Sequence, residues 1–305
     1  MKMTAYHSPV LLQPSLELLA PTPGGTYLDA TFGGGGHSRA ILERIGPEGR
    51  LIAVDQDPDA QANRLDAPTF QLLAVNFAQL RPTLQRLGIT QLDGILADLG
   101  VSSHQFDTAE RGFSFRFEGP LDMRMNTRSD YTAADLVNEA NEEDLIYILK
   151  TYGELRHAKQ MVRAILQARQ AAPLRTTTDL VSAVEHLLPR NQRSSLLAQL
   201  FQALRIEVNE EMTVLHSLLT TSLQLLRPGG HLVVISYHSL EDRPVKHFLA
   251  TGNLAGELQK DFYGNPLTPW ELLTRKPILP SEEEIAHNPR ARSARLRAAR
   301  KRPTK

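Results

Sequence analysis

From Thr26 to about Gly100 the chain alternates short apolar runs with stretches of helical spacing, the pattern of repeated strand, helix and parallel-strand units. Strands are expected in "TYLDAT", "RLIAVD", "FQLLAV" and "DGILADLG". Each run is nearly continuous in apolar residues, as befits strands covered by helices on both faces. The expected fold class is therefore a doubly wound α/β sheet. Beyond Asp98 the rhythm changes: no glycine occurs between Gly153 and Gly229, and Leu145, Ile148, Leu149 and Tyr152 mark the stripe of an amphipathic helix. "TTTDL" at 176–180 opens another helix and Pro189 ends it. Helical spacing continues through Val208, Met212, Leu215, Leu219, Leu223 and Leu226 until "RPGG", after which "HLVVISYHS" restores the strand pattern. The expected organisation is a sheet domain begun over 1–105, an all-helical insertion over 106–205, and the rest of the sheet domain over 206–305.

Near the end, Ala294, Leu296 and Ala298 alternate with Arg295 and Arg297, the period of a strand with one basic face. A solvated edge strand guarded by arginines and a strip facing RNA are both compatible with that pattern. Overall charge does not choose between them, because 34 basic residues balance 34 acidic ones. Their placement is uneven: eight bases and no acid lie between Arg290 and Lys305, directly behind Glu282, Glu283 and Glu284. The absence of cysteine excludes disulfides, thiolate zinc sites and cysteine nucleophiles, and suits a cytoplasmic protein. The apolar stretch "PVLLQPSLELLAP" is interrupted by Gln13, Pro14 and Glu17, and no window approaches the ~20 apolar residues of a membrane helix. Neither a signal peptide nor a membrane span is expected.

Candidate chemistry concentrates at the ends of the first strands. "DATFGGGGHS" at 29–38 sets four glycines between a strand and a helix, where bare backbone admits a ligand and the helix start offers amides. After the second strand, Asp57, Pro58 and Asp59 supply the cap, first position and first-turn charge of a helix. Asp55 is left without a capping job, facing the crevice at the carboxyl ends of the strands. It stands where the dinucleotide fingerprint places its ribose-binding acid. The fingerprint's third glycine slot, however, holds Ser38. Asp29 before the loop suits S-adenosylmethionine-dependent methyltransferases of this fold better, since a sulfonium cofactor carries no pyrophosphate.

The segments "HSPVLL" at 7, "DATFGGGGHS" at 29, "AVDQDP" at 53, "DLGVSS" at 98, "ERGFSFRFEGPLDMRM" at 110, "KTYGE" at 150, "FQALRIEVNEE" at 201, "ISYHSLEDRPVK" at 235 and "NPRARSARLR" at 288 resemble, in order, the signature blocks of the MraW/RsmH family. These are bacterial 16S ribosomal RNA cytosine-N4 methyltransferases. The resemblance implies a class I methyltransferase sheet carrying a helical substrate-recognition insertion, with S-adenosylmethionine as cofactor. It further implies that Gly35, Gly36 and His37 line the cofactor, that Asp55 takes its ribose, and that Phe77, Asp98 and Gln105 complete the pocket. The RNA partner would be 16S ribosomal RNA in the small ribosomal subunit, and the transfer itself needs no metal.

Amino-group methyltransferases usually follow the acid at the fourth strand end with two prolines and an aromatic residue, whereas this chain reads "DLGVSS". Asp98 is expected to accept a hydrogen bond from the target amine, to hold the cofactor's ammonium, or both. Tyr237 and His238 either flank the target base or pack in the core. Phe113, Phe115 and Phe117 form a lid packed on the insertion or a stacking surface for a base. Arg156, Lys159 and Arg163 share a helix face that is either solvated or directed at RNA phosphates. Two competing functions remain on these residues: a nicotinamide-dependent oxidoreductase, disfavoured by Ser38, and a non-catalytic cofactor-binding ribosome assembly protein.

Overall fold

The computed structural model describes residues 9–75 and 77–303, with backbone alone at 77 and 78. The chain divides into two compact units, one of Met1–Gly100 with Met212–Lys305 and one of Val101–Glu211. Residues 101–105 and 206–211, read from the sequence as sheet domain, fall in the second unit.

The first unit is built on a seven-stranded sheet in the order β3-β2-β1-β4-β5-β7-β6. Its strands are β1 (Thr26–Asp29), β2 (Arg50–Val54), β3 (Phe70–Leu73), β4 (Leu92–Asp98), β5 (Leu226–Ser236), β6 (Trp270–Leu272) and β7 (Arg295–Lys301). The first five run parallel, and β7 is inserted antiparallel between β5 and β6. Strand order reverses between β1 and β4, so the crevice of a doubly wound sheet lies beyond Asp29 and Asp98. Side chains alternate between the two faces. Ile52, Val54, Ile95, Ala97 and Val234 join one core with Leu84, Leu219 and Phe248, while Leu51, Ala53, Leu96, Val233 and Ile235 join the other with Leu16, Ile41 and Leu296. Burial on both faces is what made these runs continuously apolar in sequence.

Two expectations are corrected. The helical spacing that ran from Val208 to Leu226 is broken at Asn209 and Glu210, so helices Arg193–Val208 and Glu211–Leu225 are separate; Glu210 has φ +48°. The helix stops at Leu225, ahead of "RPGG" as expected, and that segment forms the irregular start of β5, where pairing with β4 jumps from Leu92–Leu226 to Gly94–His231. The arginine strand is not an edge, because β7 is flanked on both sides, while Arg295 and Arg300 on it remain exposed. Arg297 is buried and donates from Nε and Nη2 to the two carboxylate oxygens of Asp242, at 2.7 and 3.0 Å. Arg300 pairs with Glu271 on β6, and Lys301 Nζ donates to the carbonyls of Leu223 and Leu226. Alternation correctly marked a strand, but it does not say which strand pairs beside it.

The second unit is helical, with Ser103–Asp107, Ala133–Glu139, Glu142–Thr151, Ala158–Ala171, Thr177–Val184 and Arg193–Val208 around one core. Local chemistry sets the starts: Thr132 and Thr176 form capping boxes with Asp135 and Asp179, and Asn141 accepts from the Asp144 amide. Phe113 is buried in this core and Phe115 packs edge-on against Phe201 at 5.7 Å, whereas Phe117 is exposed. Phe113 and Phe115 thus pack on the helical core, and Phe117 stands apart from them. Arg156, Lys159 and Arg163 are all exposed, Arg156 just ahead of the helix that carries the other two. Among the described residues no helix is long and apolar enough to cross a membrane.

Candidate active site

The glycine run leads from β1 into helix Gly36–Ile45. Gly35 has φ +74°, and a Cβ there would stand 2.8 Å from the Phe32 ring; at Gly36 a Cβ would meet Pro9 Cγ at 2.2 Å. These two glycines are therefore required by the chain's own packing, besides leaving the backbone bare. The helix beyond is anchored from inside. Ser38 is fully buried and its hydroxyl donates to Asp29 Oδ2 at 2.6 Å, while the other oxygen of Asp29 accepts the Thr31 amide at 3.1 Å. A glycine in that slot would leave Asp29, itself 1% exposed, short of a donor.

Asp55 has local work that the sequence did not disclose. Its Oδ2 accepts the Gly33 amide at 2.7 Å and its Oδ1 the Asp57 amide at 2.8 Å, so it ties the glycine loop to the end of β2. The reason is general: a carboxylate drawn out of water at a strand end takes the nearest backbone donors. Asp57 caps as expected, accepting from the Asp59 amide, although the element it starts is a short 3-10 helix, Pro58–Asn63.

At the end of β4, Asp98 keeps 23% of its side-chain surface open. Its amide donates to Thr31 Oγ1 at 2.6 Å, its Oδ1 accepts the Tyr237 hydroxyl at 2.8 Å, and its Oδ2 lies 4.0 Å from Nδ1 of buried His37. The other ring nitrogen of His37 is 3.2 Å from the Val10 carbonyl. Tyr237 is thus neither plain core packing nor a free ring, because its hydroxyl serves Asp98. Its amide donates to Oε2 of Glu241 at 2.8 Å, and the second oxygen of Glu241 is 3.2 Å from His238 Nε2. The sequence reading missed Tyr237 and Glu241 as supports of Asp98. Their spacing of four, from a strand end into the first turn of helix Ser239–Thr251, was the available signal.

Gly35, Gly36, His37, Asp55 and Asp98 all come together on the first unit, at the carboxyl ends of its strands. Phe77 begins helix Phe77–Arg86, and its side chain lies outside the described residues. Gln105 belongs to the other unit and forms a capping box with Ser102, its Oε1 accepting the Ser102 amide at 3.0 Å.

The electrostatics of the crevice are acidic. Burial pushes the Asp55 and Asp98 carboxyls up to about 6, with the charge of Asp29 adding to both, and burial raises Asp29 as well; burial also lowers His37, so its ring is neutral at pH 7. Like charges held close together in a desolvated crevice repel one another. Such a site opposes a pyrophosphate and welcomes a cation. S-adenosylmethionine, with a sulfonium, an ammonium and a ribose diol, fits this donor set.

Comparison with known proteins bears on the same site. Residues 4–302 match the model of the MraW methylase family. Ribosomal RNA small subunit methyltransferase H of Bacteroides fragilis is 50% identical over 298 residues, 98% of either chain. The proteins of that name from Bacteroides thetaiotaomicron and Flavobacterium johnsoniae are each 51% identical over 296 residues, covering 97% of this chain and 97% and 98% of theirs.

Proposed function

The chain belongs to the MraW methylase family, and on that premise we propose that it methylates the exocyclic N4 amine of a cytosine in 16S ribosomal RNA, using S-adenosylmethionine. The observation that carries the cofactor is the desolvated set Asp29, Asp55 and Asp98 at the switch point of the sheet. Those acids also weigh against a nicotinamide dinucleotide, whose pyrophosphate would face them.

Within this reading Gly35, Gly36 and His37 line the cofactor and Asp55 receives ribose hydroxyls on lone pairs left beside its two amide bonds. Phe77 completes the pocket on this unit. When bound, the cofactor supplies an electrophilic methyl group. The cytosine amine is a weak nucleophile because its lone pair is delocalised into the ring, and it must lose a proton on methylation. Asp98 Oδ2 is the acceptor for that proton, and the same carboxylate attracts the cofactor's ammonium. The helical unit, with Arg156, Lys159 and Arg163 exposed, presents RNA from the small ribosomal subunit in the cytoplasm, and the target base is unstacked to reach the methyl donor.

The test is incubation of the protein with methyl-labelled cofactor and small subunits from cells lacking it, followed by nucleoside analysis. Label in N4-methylated cytidine supports the reading. Label in protein, in another nucleoside or nowhere overturns it, and a protein that binds cofactor and subunits without transfer would be an assembly factor instead.

A further inference from the structure

Asp98 is surrounded from four sides. Asp29 approaches from β1, His37 from helix Gly36–Ile45, Tyr237 from the residue after β5, and Glu241 from helix Ser239–Thr251. Of these, Tyr237 donates a hydrogen bond to the carboxylate, His37 stands 4.0 Å off, and the two acids act on it only through space. Tyr237 is itself fixed at both ends. Its amide is held by buried Glu241, and its ring passes Gly100, where a Cβ would lie 3.6 Å from Cδ2. A tyrosine hydroxyl that donates to a carboxylate occupies one oxygen and leaves the other turned away.

Building on the methyltransferase reading, the structure assigns Tyr237 as a positioning residue that pins Asp98 Oδ1 and thereby dedicates Oδ2, on the His37 side, to the ligand. Glu241 is the brace behind it. The ionised acid is the form that both accepts a proton and attracts an ammonium, so the arrangement has a consequence that can be measured without turnover. Donation from Tyr237 favours the charged carboxylate, whereas the nearby charge of Glu241 opposes it. The two neighbours therefore act on Asp98 with opposite sign, although both belong to one mechanical support.

The experiment is calorimetric titration of the full chain with S-adenosylhomocysteine, which keeps the amino-acid tail, between pH 5 and 8. Wild-type affinity falls as pH drops through about 6. Tyr237→Phe retains the ring and removes the hydroxyl, so the midpoint moves up by about one pH unit, giving up to roughly tenfold weaker binding than wild type at pH 5 and convergence at pH 8. Glu241→Gln keeps an acceptor for the Tyr237 amide and removes the like charge, so its midpoint moves down. Shifts of opposite sign support the assignment. Equal shifts, unchanged midpoints, or a loss of affinity uniform across pH overturn it, since a merely structural role weakens binding at every pH. If Tyr237→Phe does not fold, the downward shift in Glu241→Gln decides alone. Failure of the wild type to bind the homocysteine compound would instead sink the methyltransferase reading, independently of Tyr237.

Discussion

Ser38→Ala tests the bond that distinguishes this glycine loop from a dinucleotide one. The substitution removes a single oxygen from a fully buried site and leaves Asp29 Oδ2 without its 2.6 Å donor, in a place water does not reach. A hydrogen bond to a charged group contributes about 1.5–3 kcal/mol, so a loss of about 2 kcal/mol is expected, or roughly 4–8 °C in Tm for a unit of this size. The chain's single tryptophan, Trp270, gives the signal. It is 1% exposed and packs on Phe248 at 6.0 Å within the sheet unit, so urea unfolding followed by its fluorescence reports that unit. A cycle with Asp29→Ala isolates the pair: the double variant should be more stable than the sum of the single losses predicts, with a coupling of at least about 1 kcal/mol. Coupling below about 0.5 kcal/mol would refute the reasoning that Ser38 is present to satisfy Asp29.

Gly36→Ala drives a Cβ against Pro9 at 2.2 Å and should cost about 1–3 kcal/mol, with weaker binding of S-adenosylhomocysteine in calorimetry. Arg297→Met leaves Asp242 buried with Arg295 at 3.5 Å as its remaining partner, so a loss near 3 kcal/mol, the lower end for a broken buried pair, is expected in thermal unfolding. For Asp55 and Asp98, a folded pKa of about 6 against an ordinary 3.8 means that their contribution to stability is present below pH 3.8 and lost as pH rises through 6. Substituting Asp98 by Asn should therefore stabilise the unliganded protein at pH 7 but not at pH 4, as read from urea midpoints, while weakening cofactor binding at pH 7.

The strands of the first half were legible because burial on two faces leaves an unbroken apolar run, and Asp29, Asp55 and Asp98 were legible because each ends such a run. The helix starts of the second unit were equally plain in Thr176 and Asp179, whose reciprocal bonds are local. What escaped was the pairing over long separations. Nothing near Asp98 in sequence marks Tyr237, 139 positions away, as its donor, and nothing near Arg297 marks Asp242. The break at Asn209 was hidden because apolar spacing on either side stayed in helical register.

By itself, the sequence determined the alternation of elements, the glycine loop, the acids at the strand ends and the family, since these rest on short-range periodicity, local capping and contiguous motifs. Only the tertiary structure decided how those residues divide their work. Asp55 holds the glycine loop at the end of β2, Ser38 completes Asp29, and Arg297 of β7 is spent on buried Asp242 while Arg295 and Arg300 stay exposed. The physical reason is that a buried polar atom must find a partner wherever the fold brings one, and for a parallel sheet that partner comes from a distant strand or helix.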